Sequence, residues 1–370
     1  MSLWKILMAI AFLVIVVVLI LLFTNWGNEI LVRLVPRPQE PNDRPYVIKE
    51  VSFPGGADGV TLVGELTMPR EGGPFPAVIM ITGSGPQDRN EEVAGHKPFL
   101  VFSDYMTRRG YAVLRYDDRG FAQSSGDFQT ATTNDFATDA AAAMRWLKIQ
   151  ANINVSRIGY VGHSEGGYIA PLAAEEENAA FLILLAGPAK SIIEVALKQN
   201  TEFAKLEGMD ENQINDIRTY TGDILGIFRY SSSPEEADRR AWELFNARKK
   251  SLGSLACMLE EALKQQPSAW LMWLINYDPI PALKAFSGPV LAVFGDKDIQ
   301  VSASDNAPIM DKVLSNSNSR VLTFPNLNHL FQPTETGAMS EYWWKTTTFD
   351  EQAMQAIANW LDELGSDQPS

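Results

Sequence analysis

An α/β fold, with a mainly parallel central sheet flanked by helices, is predicted by three observations. Short apolar runs alternate with helical patterns from residue 46 onward, and strands alternating with helices of about 10–15 residues build parallel sheets. One run, Ile158-Gly159-Tyr160-Val161, leads straight into Gly162-His163-Ser164-Glu165-Gly166, after which a helical pattern opens at Tyr168. Two later runs, 289–294 and 320–325, each release a polar side chain just past a strand's carboxyl end, where ligands and chemistry collect in open α/β sheets.

Taken in order, residues 46–53 and 61–68 read as an antiparallel strand pair and 77–81 as a buried strand. Residues 99–109 read as a helix ended by Gly110, 111–116 as a strand, 135–149 as a helix, and the run into Ser164 as the next strand. Residues 180–185, 290–294 and 321–324 continue the sheet, so the core covers 46–189 and 286–366. The stretch 190–285 is too long for an ordinary crossover and helix-like throughout. It is expected to form a helical cap, inserted after a strand where it can govern access without disturbing the sheet. Within it, Trp270-Leu271-Met272-Trp273-Leu274-Ile275 either lines an acyl pocket or packs the cap onto the core.

Residues 1–28 read as a membrane anchor and 29–45 as a proline-bearing linker. From Ile6 to Phe23 the chain is uncharged and almost wholly apolar, within the range of about 17–25 residues for a transmembrane helix. Trp4 and Trp26 flank it as interfacial residues do. The run is long for a signal-peptide core of about 7–15 residues, and no small-residue cleavage site follows it. Lys5 and the terminal amine, close before the span, orient the N-terminus to the cytoplasm and the globular part outside, as a single-pass protein of the cell membrane.

A formal net charge of −14 and a pI near 4.8 argue against a nucleic-acid surface, which needs clustered Lys and Arg. One cysteine, Cys257, excludes an internal disulfide framework; set among Leu255, Met258 and Leu259 it reads as a buried apolar thiol. Three dispersed histidines and one cysteine offer no metal-ligand spacing. Gly83-Ser84-Gly85 lacks the third glycine and the context of a dinucleotide site, so no cofactor is expected.

The chemistry implied is nucleophilic. Strand, glycine-bracketed serine and helix make a nucleophile elbow, whose backbone comes too close to its neighbours for a Cβ at either glycine. A serine hydroxyl needs a base to take its proton and an anion to orient that base. His163 lies inside the elbow and His96 in the loop 91–97, so His329, after a late strand, is the base. The acid is Asp296 or Asp298; Asp298 is preferred, because Gly295 starts the turn and Asp296 suits a turn or capping role, and in part because of the resemblance given below. Serine, aspartate, histidine is the chain order of α/β-hydrolases. Oxyanion donors would be the amide of Glu165, next after the nucleophile, and that of Ser84 in the glycine-rich loop 81–86. Asp118 and Arg119 read as buried charges that hold loops, with a substrate contact as the alternative.

Five segments together resemble the α/β-hydrolase superfamily, and more narrowly bacterial serine esterases grouped with dipeptidyl-aminopeptidase-like or acylaminoacyl-peptidase-like hydrolases. They are Thr82-Gly83-Ser84-Gly85-Pro86-Gln87-Asp88-Arg89, Leu114-Arg115-Tyr116-Asp117-Asp118-Arg119-Gly120, the elbow, Tyr277-Asp278-Pro279 leading to Gly295-Asp296-Lys297-Asp298, and Asn328-His329-Leu330-Phe331-Gln332. The resemblance spans about residues 46–365. It implies the α/β-hydrolase fold, Ser164, Asp298 and His329 as the triad, and the Ser84 and Glu165 amides as the oxyanion hole. A departure is Ala122, where such chains usually carry a glycine; a turn is affected, not the triad.

The expected function is hydrolysis of carboxylic esters, small acyl esters by default, through an acyl-enzyme on Ser164. A peptidase, thioesterase or lysophospholipase on the same scaffold is the alternative, and a membrane-tethered interaction protein with an idle fold is the non-enzymatic one. The sequence leaves the oligomeric state open.

Overall fold

The computed structural model describes residues 35–264 and 268–366. The expected membrane span and the start of the linker lie outside the described residues; among those described, no helix is long and apolar enough to cross a membrane.

Eight strands form one sheet: β1 (Val47–Pro54), β2 (Thr61–Met68), β3 (Phe75–Ile81), β4 (Ala112–Tyr116), β5 (Ile153–His163), β6 (Leu182–Leu185), β7 (Val290–Gly295) and β8 (Arg320–Phe324). Their spatial order is β1-β2-β4-β3-β5-β6-β7-β8. The pairs β1/β2 and β2/β4 are antiparallel, and every other pair is parallel. Burial on both faces accounts for the unbroken apolar runs: every residue of β4, β6 and β7 is buried. From β3 the chain steps to β4 on one side and then to β5 on the other, so the loops after β3 and β5 diverge at the middle of the sheet. That divergence opens a crevice at the strands' carboxyl ends.

Helices α1 (Pro98–Arg108), α2 (Thr133–Lys148) and α3 (Gly166–Glu176) connect the first strands. The start of α2 is set by Thr132, whose hydroxyl accepts from the Asp135 amide while the Asp135 carboxylate accepts from the Thr132 amide. This capping box places the helix two residues ahead of the position read from the apolar pattern. After β6 come α4 (Ile192–Leu206), α5 (Glu211–Tyr230), α6 (Pro234–Leu252), α7 (Ala256–Leu263), α8 (Ala269–Leu274) and α9 (Pro279–Ala285). The first five carry a hydrophobic cluster of their own around Phe245, Ala237 and Ile217, separate from the cluster on the sheet. Two last helices, α10 (Ala303–Val313) and α11 (Glu351–Ser366), close the fold, with a short 3-10 turn at Met339–Trp344.

Cys257 corrects the expectation of a buried thiol: it is exposed. Helix α7 turns Ala256, Leu259 and Leu263 inward, and a position one residue past Ala256 points about 100° away.

Candidate active site

Ser164 sits between β5 and α3 with φ near +53°, in the left-handed region. The flanking glycines are sterically required. A Cβ on Gly162 would lie 2.0 Å from the Gly166 carbonyl oxygen, one on Gly166 would lie 2.5 Å from the Ile81 oxygen, and one on Gly167 would lie 2.4 Å from the Gly187 Cα. The Ser164 amide donates to Leu185 at 2.9 Å, pinning the turn to the end of β6.

His329 follows β8 and Asp298 follows β7, and the parallel pairing of these strands brings the two loops side by side. The His329 Nδ1 lies 2.7 Å from Asp298 Oδ2. The second carboxylate oxygen accepts from the amides of Gln300 and Val301 at 2.8 and 2.9 Å. With Nδ1–H donating to a carboxylate, the lone pair of the neutral ring is on Nε2. Asp296 is elsewhere: its carboxylate accepts from the Asn326 amide at 2.6 Å and shapes the turn after β8. Ser164, His329, Ser84 and Glu165 all border one cavity of about 340 Å³.

The loop 82–91 also borders Ser164: a Cβ on Gly83 would lie 3.1 Å from the Ser164 Cβ. The Ser84 and Glu165 amides make no hydrogen bond among the described residues, whereas the Gly83 amide donates to Glu91 Oε1 at 2.7 Å. Asp118 anchors this loop, accepting from the Thr82 hydroxyl at 2.7 Å and the Gln87 amide at 2.9 Å. Burial pushes its carboxyl well above the usual range, against those two hydrogen bonds. Arg119 is spent on Asp139, with Nε–Oδ2 at 2.6 Å. Both side chains are held structurally.

The Glu165 side chain is buried, and Thr133 Oγ1 and Trp270 Nε1 each donate to its Oε1 at 2.7 Å. Burial, the largest influence, raises its carboxyl, and bonds from Trp270, Ser84 and Thr133 act the other way. Trp270 thereby ties α8 to the elbow, and Tyr277 continues the tie with its ring 5.5 Å from Tyr168 and stacked on Trp273 at 5.0 Å. Glu165 and Trp270 also wall a second cavity of about 290 Å³, lined with Phe128, Phe136 and Tyr116.

Sequence reasoning missed Glu91, Thr133 and the role of His163, whose side chain was expected to be directed elsewhere but borders the same cavity as Ser164 and His329. The His163 Nδ1 meets Glu91 at 2.8 Å and its Nε2 meets the His329 carbonyl at 2.9 Å. These partners are 72 and 166 residues away in the chain, and no local pattern signals them. His96 is buried apart from the site, between Thr348 and Tyr342. Among the described residues, no group of three or more His, Cys, Asp or Glu could hold a metal ion.

The family model described as X-Pro dipeptidyl-peptidase (S15 family) matches residues 58–196. The chain is 27% identical over 300 residues to esterase EstD of Thermotoga maritima, covering 81% of this chain and 65% of that protein's length. A shorter stretch of 124 residues is 30% identical to dipeptidyl aminopeptidase BIII of Pseudoxanthomonas mexicana, covering 30% of this chain and 17% of that one. Among solved structures, a Pyrococcus furiosus esterase superposes with a TM-score of 0.51 at 18% identity, over 87% of this chain and 93% of its own, which shows the shared fold. This sheet order and the serine elbow after β5 are those of the α/β-hydrolase fold, and in sequence the chain is similar to serine esterases and to the peptidase-like members of that fold.

Proposed function

We propose that the chain is a serine hydrolase of carboxylic esters in which Ser164 is the nucleophile, His329 the base and Asp298 the orienting acid. The observation that carries this reading is the pairing of a left-handed elbow serine with a carboxylate-bound histidine on one cavity. His329 Nε2 takes the Ser164 proton as Oγ adds to the ester carbonyl, and the amides of Ser84 and Glu165 receive the developing oxyanion. Collapse expels the alcohol, which leaves with the proton from Nε2. Water then repeats the cycle on the acyl-enzyme, releasing the acid and restoring Ser164. The helices of 190–285 act as a cap on this site through Trp270 and Tyr277, and the apolar N-terminus holds the enzyme at a membrane, with the catalytic part outside the cytoplasm.

The match to a dipeptidyl-peptidase family model favours a second reading, cleavage of peptide amides by the same residues. Both are separated by one assay on the full chain. Hydrolysis of p-nitrophenyl esters from acetate to palmitate is compared with that of dipeptide p-nitroanilides, for wild type and Ser164→Ala. The ester reading expects ester kcat/KM to exceed anilide kcat/KM and the variant to lose on the order of 10⁵–10⁶-fold in kcat. Anilide preference would move the assignment to a peptidase, and equal ester rates in the two proteins would overturn Ser164 as nucleophile.

A further inference from the structure

Both ring nitrogens of His163 face acceptors. The His329 carbonyl, 2.9 Å from Nε2, can only accept, so Nε2 carries a hydrogen. Nδ1 lies 2.8 Å from Glu91 Oε1, an oxygen that already accepts from the Gly83 amide at 2.7 Å. Two bare acceptors do not approach to that distance, so a second proton lies between them. Imidazole is a stronger base than a carboxylate, and the proton stays on His163. His163 is therefore an imidazolium paired with the Glu91 carboxylate. Both groups are buried, and Glu91 Oε2 has no partner among the described residues.

The pair joins two loops that the site needs in register. Glu91 clamps Gly83, the residue before the Ser84 amide, and is itself fixed in the left-handed region at φ near +52°. His163 holds the backbone of His329, with the two imidazoles 4.8 Å apart. We propose that Glu91 and His163 are positioning residues, which couple the oxyanion loop to the His329 loop through a proton held between them, and that loss of this proton at alkaline pH lowers turnover. The clause on turnover rests on the hydrolase reading above; the proton does not.

The charged groups facing His163 are Glu91 from the loop 82–91 and Asp298 from the loop after β7, and the titratable neighbour is His329. Burial, the largest influence, disfavours the imidazolium, but the Glu91 charge and hydrogen bond, the His329 carbonyl and Asp298 outweigh it and raise the midpoint above 6.5. The sign follows. Stability from this proton is complete below about pH 6.5 and is lost as pH rises through the raised folded midpoint.

The test is histidine side-chain NMR of the full chain, which has only three histidines, with His163→Asn to assign the signal. Expected is a His163 with both nitrogens protonated at pH 7. Glu91→Gln should lower its midpoint by about one unit or more and lower kcat at pH 8 by about tenfold, with KM within about twofold. A neutral His163 at pH 7 in the wild type overturns the proposal. So does a Glu91→Gln protein whose alkaline limb of kcat stays where it was. If that variant does not fold, the wild-type spectrum decides alone. A doubly protonated His163 in a chain inert on every ester would sustain the pair and overturn the hydrolase reading, so the two failures are distinguishable.

Discussion

Ser164 and Ala122 both hold left-handed backbone, at φ near +53° and +47°, for different reasons. At Ser164 the strain presents a hydroxyl to the cavity, and such strain is stored where surrounding structure over-determines it. At Ala122, exposed in the turn after β4, it presents nothing. A left-handed L-residue costs about 1–2 kcal/mol, and glycine returns about 0.4–1 kcal/mol of that through its looser unfolded chain. Ala122→Gly should therefore stabilise the protein by about 0.5–1 kcal/mol, read as a shifted urea midpoint with unchanged activity. A loss of stability would contradict this account of the turn. The same residue was legible in advance as a departure from a glycine pattern, because a positive φ selects glycine locally. The contact of His329 with a carboxylate after β7 was legible too, Asp298 being one of two candidates. Glu91 was not: what makes it matter is a contact across 72 residues.

At the scale of elements, the parallel strands were readable because burial on both faces leaves no polar interruption to β4, β6 or β7. Boundaries shifted where a side chain, rather than apolar period, decides the end, as Thr132 does for α2. His96 shows how one residue ties elements together. Its Nε2 donates to the Tyr342 carbonyl and its Nδ1 accepts from the Thr348 hydroxyl, both at 2.9 Å, binding the loop 91–97 to the 3-10 turn and the approach to α11. This ring is neutral, unlike His163. Burial above all, with Arg37 adding to it, lowers its midpoint to about 4, against the Tyr342 hydrogen bond. Between about pH 6.5 and 4 the unfolded chain binds a proton there that the folded chain does not, so stability falls as pH falls through that window. Urea midpoints at pH 7 and 4.5 should drop further for wild type than for His96→Gln. An equal drop would place the acid sensitivity elsewhere.

Across the whole molecule, two hydrophobic clusters share one chain, one on the sheet and one among the helices of 192–275. Beside them, Trp270 on Glu165 and Tyr277 on Tyr168 tie the helical stretch to the elbow. Removing the fully buried Phe245 ring from the helical cluster should cost about 3–5 kcal/mol. With separate clusters, calorimetry of Phe245→Ala should show an early transition for the helices and an unmoved one for the sheet. A single transition shifted as a whole would mean the two clusters fold as one unit. The helical character of this stretch was legible from its length and pattern, whereas which of its aromatic residues reach the elbow was not, since that depends on packing between clusters.

The central claim is that Ser164 is a nucleophile activated by its setting, and covalent capture tests it most directly. The full chain is treated with a fluorophosphonate and the adduct mapped by mass spectrometry, alongside Asp298→Asn. A single adduct on Ser164 is expected, forming on the order of 10³–10⁴-fold more slowly in the variant, whose histidine is left in the wrong tautomer. No adduct in the wild type, under conditions that label a control esterase, or equal labelling of both proteins, would contradict it.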